Sequence, residues 1–391
     1  MIDNIKKDLC TGCDACYNIC LENCITMVDD ELGFRYPNVD YDKCTKCKQC
    51  IQTCPSLIKT YRDDKWDVPK IFAAWSLNED LRRTSTSGGI FSELAKKVIS
   101  NNGLVVGARY NGDHFVEHYI TDNLEGVEEL KQSKYVQSNI GEIFQLIKDK
   151  LEEGNKLAFC GSPCQVAGLL NFLKKPYKNL ITFDFVCRGT NSPKAYKKYL
   201  EMLKNKYKSD IKKVWFKNKS YGWNRFSTKI EFNNGKNYIK DRYHDLYMRG
   251  YIEENLYMRS CCFDCKYKDF PRIADITLAD FWGVGKSNPT LDPDKGTSLV
   301  MINSNKGLDL FNKIADNIFI QESHLNVALP NNVSIVKSAA RNEDSNKFLA
   351  MLDSEPFDVC FKKYAKNTGI KRLKSSFRRK ASRLKKQVIG K

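Results

Sequence analysis

Two cysteine runs of one spacing dominate the first sixty residues: Cys10-x2-Cys13-x2-Cys16-x3-Cys20 and Cys44-x2-Cys47-x2-Cys50-x3-Cys54, the second followed by Pro55. Of the 16 cysteines in the 391-residue chain, those eight and Cys24 fall before residue 55. The thiols are therefore not spread as a disulfide framework would spread them. The opening Met1–Lys7 has no apolar stretch, and nowhere do about 18 apolar residues run together, so neither a secretion signal nor a membrane-spanning helix is expected. Dense thiols without such segments are expected in a reducing cytoplasm, binding metal or doing redox chemistry.

The spacing is that of bacterial ferredoxins, in which the fourth cysteine of each run ligates the other cluster. Two [4Fe–4S] clusters are expected, one on Cys10, Cys13, Cys16 and Cys54, the other on Cys44, Cys47, Cys50 and Cys20. Three thiolates two residues apart let a tight loop wrap three irons, and the exchanged fourth ligand ties the halves together. Structural zinc is the alternative, but zinc ribbons pair two separated C-x2-C knuckles, whereas both runs here are complete. Leu21 stands where proline would follow the first run, and Cys24 reads as a small buried side chain rather than a ligand.

After the polar stretch Lys59–Lys65, which reads as a linker, strand and helix signals alternate. Ile71–Trp75, Leu104–Ala108, Lys156–Cys160 and Leu180–Val186 read as strands. Ile90–Ile99, Ile140–Leu151 and Val166–Leu173 read as helices. Trp215–Tyr238 suits an antiparallel hairpin turning at Gly235, and Ile276–Leu278 and Thr297–Ile302 add strands. The expected fold class is an α+β ferredoxin-like dicluster module followed by an α/β, flavin-binding body with a mixed sheet.

From about residue 70 to 310 the chain resembles the beta subunit of coenzyme F420-reducing hydrogenases and dehydrogenases. The stretches that carry the likeness are Ser85-Thr86-Ser87-Gly88-Gly89-Ile90-Phe91, Ser133-Lys134-Tyr135-Val136-Gln137-Ser138, Gly161-Ser162-Pro163-Cys164-Gln165, Phe185-Val186-Cys187, Cys262-x2-Cys265-Lys266, and Asp275-Ile276-Thr277-Leu278-x-Asp280-Phe281-Trp282-Gly283. The resemblance implies FAD, a [4Fe–4S] cluster in the body, and, in some members, hydride exchange with the deazaflavin F420. Some bacterial relatives look like redox members of polysaccharide-synthesis pathways. The expected units are 1–58, the ferredoxin-type domain; 59–70, a linker; 71–155 and 156–325, the amino- and carboxyl-terminal regions of the F420-type body; and 326–391, an extension with a basic tail.

On their own terms, Ser87, Gly88 and Gly89 form a turn before a helix, where small residues let backbone N–H groups approach a pyrophosphate. Lys134 and Tyr135 offer a cation and a ring, or else a surface charge and a packed aromatic. Gly161, Pro163 and Gln165 join a strand to a helix, where ligand contacts gather in α/β folds. Matching the family pattern selects Cys164, Cys187, Cys262 and Cys265 for a third [4Fe–4S] cluster; a redox dithiol, a zinc site or plain buried thiols are the alternatives. Cys160, Cys261 and Cys360 are left out. Arg188 stands where the family pattern has histidine, so a proton-shuttling imidazole is replaced by a permanent cation, suited to an anionic flavin or an acidic substrate. His114, His118, His244 and His324 show no pairing and read as surface or core residues.

The net charge of +17 is uneven, because thirteen Lys or Arg and no acid lie between Lys362 and Lys391. Ile370, Leu373, Phe377, Ala381, Leu384 and Val388 would line one face of a helix there, suited to peripheral contact with the inner face of a membrane or an acidic partner, or else the segment is a frayed, solvated tail; nucleic acid is not favoured. The expected function is electron transfer from a ferredoxin-type or F420-type carrier, through clusters and flavin, to a small substrate. A non-catalytic electron-transfer component of a larger complex and a cluster-based thiol or disulfide reductase are the alternatives.

Overall fold

The computed structural model describes residues 1–60, 64–292 and 294–365. The strands are β1 Ile25–Asp29, β2 Arg35–Val39, β3 Lys70–Ser76, β4 Leu104–Tyr110, β5 Val116–Thr121, β6 Leu157–Cys160, β7 Leu180–Phe185, β8 Ile211–Asn218, β9 Ser227–Phe232, β10 Asn237–Asp241, β11 Ile276–Asp280, β12 Ser298–Ile302 and β13 Ile318–Ser323. The helices used below are α1 Ala15–Asn18, α2 Gln49–Thr53, α3 Glu79–Thr84, α4 Ile90–Ser100, α5 Leu124–Leu130, α6 Ile143–Glu152 and α7 Pro163–Leu173. The amphipathic stretch from Ile370 to Val388 lies outside the described residues.

The body is built on one eight-stranded mixed sheet in the order β13-β3-β12-β11-β7-β6-β4-β5. Its centre, β4-β6-β7-β11, is parallel. Antiparallel strands flank it, β5 on one side and β12, β3 and β13 on the other. Central strands are buried on both faces, so β12 is buried at every position and reads as a continuous apolar run. The chain leaves β7 at Phe185 and returns to the sheet only at Ile276, and this excursion carries the separate antiparallel sheet β10-β9-β8. Gly235 does turn the chain between β9 and β10, but the expected hairpin is a three-stranded meander. Tyr207 stacks on Phe232 there at 4.4 Å between ring centroids.

The amino-terminal module is a true internal repeat at the level of the backbone. Gly12 and Asp14 in the first run are left-handed, at φ 65° and 58°, and so are Lys46 and Lys48 in the second, at φ 58° and 62°. In each run the second of these residues caps the short helix that follows, α1 or α2. Two left-handed residues per loop curl the backbone around a centre, the conformation that turns N–H groups inward. Glycine adopts it freely; Asp14, Lys46 and Lys48 do so at a cost that the surrounding structure must offset.

The module is seated on the body. Cys13 and Ala15 belong to the same apolar cluster as Phe159, Val166 and Leu169. The Asn18 amide donates to the Gly141 carbonyl at 2.8 Å, and Gln145 donates back to the Asn18 carbonyl at 2.9 Å. Gly168 of α7 lies directly under the first cysteine loop: a Cβ there would stand 2.9 Å from Cys13 Sγ.

Candidate functional site

In the first thiol set, burial drives the Cys16 thiol well above its ordinary value, and the neighbouring Cys13, Cys10 and Cys54 thiols drive it further. Cys54 in turn feels Cys10. Crowded thiols whose ionisation is disfavoured, as at Cys13, Cys16 and Cys54, are a poor resting state for free thiolates. A multinuclear cation among them reverses that balance, since coordination deprotonates the thiol. The sulfurs that act on one another here are those of Cys10, Cys13, Cys16 and Cys54.

In the second set Cys50 feels Cys20. The ninth cysteine is a neighbour of this set: Cys24 Sγ is 3.3 Å from Cys20 Sγ, and burial together with Cys20 and Cys44 pushes its thiol up to about 12. It is buried, as the sequence suggested, while Cys47 is exposed to solvent.

Among the described residues no three His, Cys, Asp or Glu side chains stand close enough together to grip a single metal ion. A cubane is larger than an ion and its ligands stand farther apart. The donor chemistry of both sets, soft thiolates and nothing else, fits iron–sulfur groups.

The carboxyl ends of β6, β7 and β11 open onto a cavity of about 540 Å³, a volume in the range of cofactor and small-molecule sites. This is where open α/β sheets place their ligands. Cys164, Cys187, Cys262 and Cys265 all line it. Burial raises Cys164, and Cys187, Cys265 and Cys262 raise it further. Cys187 is pushed up to about 12 by burial, with Cys262 the next cause. Cys261, left out of the sequence-based set, hydrogen-bonds Cys262, and this contact is the main reason that the Cys262 thiol is raised.

The third group of sulfurs lies close to the first. Cys13 feels Cys164. Tyr267 lies among Cys164, Cys13, Cys54 and Cys265, and its hydroxyl donates to the Pro55 carbonyl at 3.1 Å. Lys266 Nζ donates to the Ser56 carbonyl at 2.7 Å.

Ser87, Gly89, Lys134, Tyr135, Gly161, Pro163 and Gln165 line the same cavity, so the sequence stretches named for a cofactor converge there. Their local roles differ from the expectations. Gly88 serves packing: a Cβ would stand 2.9 Å from Trp75 Cα and closer still to the Ala74 carbonyl oxygen. Gly89 caps α4 in the left-handed conformation at φ 85°. Lys134 offers no ready ammonium to a phosphate. Its Nζ donates to the carbonyls of Glu129, Leu130, Lys131 and Gln132 at 2.9–3.4 Å, satisfying the end of α5. Burial also lowers it to about 7. Gln165 is committed within its own helix start, its Oε1 accepting from the Ser162 N–H at 2.9 Å and its amide donating to Ser138 Oγ at 2.9 Å. The Tyr135 ring packs edge-on to Phe216.

Arg188 lines the cavity, with Nη2 donating to the Ile252 carbonyl at 3.0 Å and to Asn255 Oδ1 at 2.7 Å, while its buried Nε has no partner. A cation with one free N–H suits an anionic group. The N–H groups of Gly88 and Gly89 are committed to Ser298 Oγ at 2.9 Å and the Thr86 carbonyl at 3.2 Å, so Arg188, with its free Nε, is the feature of this wall that suits an anionic cofactor; Lys134 does not.

Several further wall residues are not among the site candidates read from sequence. Asp184 and Arg272 form a buried ion pair at 3.2 Å. Burial raises Asp184 and Arg272 pulls it back. Lys217 pairs with Asp280, which also accepts from Trp223 Nε1 at 2.7 Å. Trp223 stacks on Trp282 at 4.7 Å. His118, read from sequence as surface or core, is buried in β5 and lines the cavity. Its Nε2 faces the Cys160 carbonyl at 3.2 Å, which makes Nε2 the protonated nitrogen and leaves the buried Nδ1 without a partner. Burial holds the imidazole at about 4, so it is neutral near pH 7. Asp280 and Trp282 fall in the stretch Asp275–Gly283 that carries the family likeness; the others come from elements far apart in sequence, and no local motif announces them.

Residues 9–58 match the family described as 4Fe-4S dicluster domain. Residues 154–327 match the family described as the C terminus of the coenzyme F420 hydrogenase/dehydrogenase beta subunit. No curated protein matches the chain. Among solved structures, a chain in the xenon-derivatised F420-reducing [NiFe] hydrogenase complex from Methanosarcina barkeri is 16% identical, with 76% of this chain and 94% of that one covered at a TM-score of 0.48. No helix among the described residues is long and apolar enough to cross a membrane. Over residues 154–327 the chain is thus similar to the coenzyme F420 hydrogenase/dehydrogenase beta subunit family, and over residues 9–58 to the 4Fe-4S dicluster domain family.

Proposed function

We propose that the chain is an oxidoreductase that takes electrons from a carrier protein at its amino-terminal module and delivers them to a small substrate in the 540 Å³ cavity. The observation that carries this reading is Tyr267, which lies among cysteines of the first set and of the cavity set. Iron–sulfur groups would supply one-electron transfer and a flavin the change to two-electron chemistry. Cys10, Cys13, Cys16 and Cys54 would hold one group, Cys20, Cys44, Cys47 and Cys50 the second, and Cys164, Cys187, Cys262 and Cys265 a third. Exposed Cys47 marks where a donor approaches. Arg188 would receive the anionic part of the flavin, in the cavity that Ser87 and Gly89 line. Buried, raised thiols do not suit a free dithiol nucleophile, which must ionise near neutral pH.

Anaerobic purification followed by iron, sulfide and flavin analysis tests this. Cys262→Ser is expected to lose one cluster's share of iron while the amino-terminal clusters remain. Unchanged iron in Cys262→Ser would remove the third group from the reading, and iron without bound flavin would remove the two-electron step.

A further inference from the structure

Arg259 is fully buried, yet its guanidinium keeps its charge at every physiological pH. A buried cation needs compensation. Nε donates to the Cys10 carbonyl at 2.8 Å, Nη1 to Gln137 Oε1 at 3.1 Å, and Nη2 to the Arg35 carbonyl at 2.8 Å and to Cys10 Sγ at 3.4 Å. The guanidinium lies over the Tyr36 ring at 4.3 Å. All of these partners are neutral except the sulfur, once it is a thiolate ligand. The carboxylate of Asp14 feels this cation, but Asp14 is itself held by Arg35 at 3.7 Å. The loop makes room for the contact at Gly12, where a Cβ would stand 3.0 Å from Nη1.

We propose that Arg259 tunes the iron–sulfur group held by Cys10, Cys13, Cys16 and Cys54, raising its reduction potential through an N–H···S bond and a buried positive charge. The inference rests on the dicluster reading of the amino-terminal module. Adding one electron adds one negative charge to the thiolate set, so a fixed cation against Cys10 stabilises the reduced form more than the oxidised one. Hydrogen bonds to ligand sulfur and local charge are the levers by which proteins set such potentials. The electron itself comes from the donor protein, and no bond is made or broken. Arg259 also sits three residues before Cys262, so one buried side chain ties the first thiol set to the segment that carries the cavity thiols.

The test uses the full chain, prepared anaerobically, as wild type, Arg259→Gln and Arg259→Lys. Iron and sulfide are counted first, and each centre is then titrated potentiometrically by electron paramagnetic resonance. Arg259→Gln is expected to weaken the reduction equilibrium of the centre on Cys10 at least tenfold, about 59 mV for one electron, with the centre on Cys20, Cys44, Cys47 and Cys50 unmoved; Arg259→Lys is expected to shift it less. In wild-type protein labelled with 15N-arginine, pulsed resonance of the reduced state is expected to show nitrogen coupling to one centre. A wild-type midpoint in iron-replete Arg259→Gln overturns the proposal. If that variant fails to assemble, absence of arginine nitrogen coupling in the wild type overturns it instead. Wild-type protein without iron and sulfide would sink the dicluster reading itself, a separate failure.

Discussion

The hydroxyl of Tyr267 donates to the carbonyl of Pro55 at 3.1 Å, joining the segment just after Cys265 to the residue just after Cys54. The hydroxyl feels cysteines of both thiol sets, and the ring packs against the apolar cluster that contains Cys13. Replacing it with a small side chain leaves a gap in a buried contact. Tyr267→Ala is expected to slow electron passage from the amino-terminal module to the cavity, whereas Tyr267→Phe keeps the ring and most of the rate. Stopped-flow reduction, following each centre in turn, distinguishes the two; equal rates in wild type and Tyr267→Ala would rule out this route.

Cys24 touches Cys20 at 3.3 Å without belonging to either four-cysteine run. It is expected to act as a buried neighbour of the ligands, so Cys24→Ala should retain the wild-type iron content and Cys20→Ala should not. Iron analysis of the two variants decides, and loss of iron in Cys24→Ala would make it a ligand.

His118 brings a pH dependence with a definite sign. Its pKa falls from 6.5 to about 4 in the folded chain because burial disfavours the imidazolium. Unfolded chains bind the proton first as pH drops, so the contribution is complete above about 6.5 and is lost toward 4. The full span is about 3 kcal/mol. Thermal unfolding of wild type and His118→Phe, compared between pH 7 and pH 5, should show a steeper loss in the wild type. Parallel curves would show that the imidazole is not the group responsible.

Gly88 is held where no side chain fits, its Cβ position lying 2.9 Å from Trp75 Cα. Overpacking of this kind costs about 1–3 kcal/mol. Gly88→Ala is expected to lower the unfolding temperature and to displace the turn that lines the cavity. Calorimetry measures the first effect and flavin affinity the second; an unshifted melting temperature would show that the turn relaxes freely.

The strand and helix alternation of the body was legible because buried strands such as Leu180–Phe185 and amphipathic helices such as Ile90–Ser100 carry their periodicity locally. Strands β5 and β13 escaped. Edge strands need only one apolar face, and Glu117, His118, Gln321 and Glu322 interrupt the apolar pattern. Lys134 was legible as a basic residue in a family motif but not as a helix cap. That role depends on where the last carbonyls of α5 fall in space.

The amino-acid sequence by itself determined the thiolate character of the first module, because three cysteines with two residues between each can present sulfur to one loop centre while the fourth serves the other. It also determined the parallel core, since apolar runs alternating with amphipathic ones pack in few ways. Only the tertiary structure decided that Cys164, Cys187 and Cys262 meet near Cys13, that Arg259 reaches Cys10, and that His118 and Asp184 face one cavity. Such contacts join residues separated by up to 249 positions. They form only when the excursion between β7 and β11 folds back over the strand ends, and no local spacing encodes that closure.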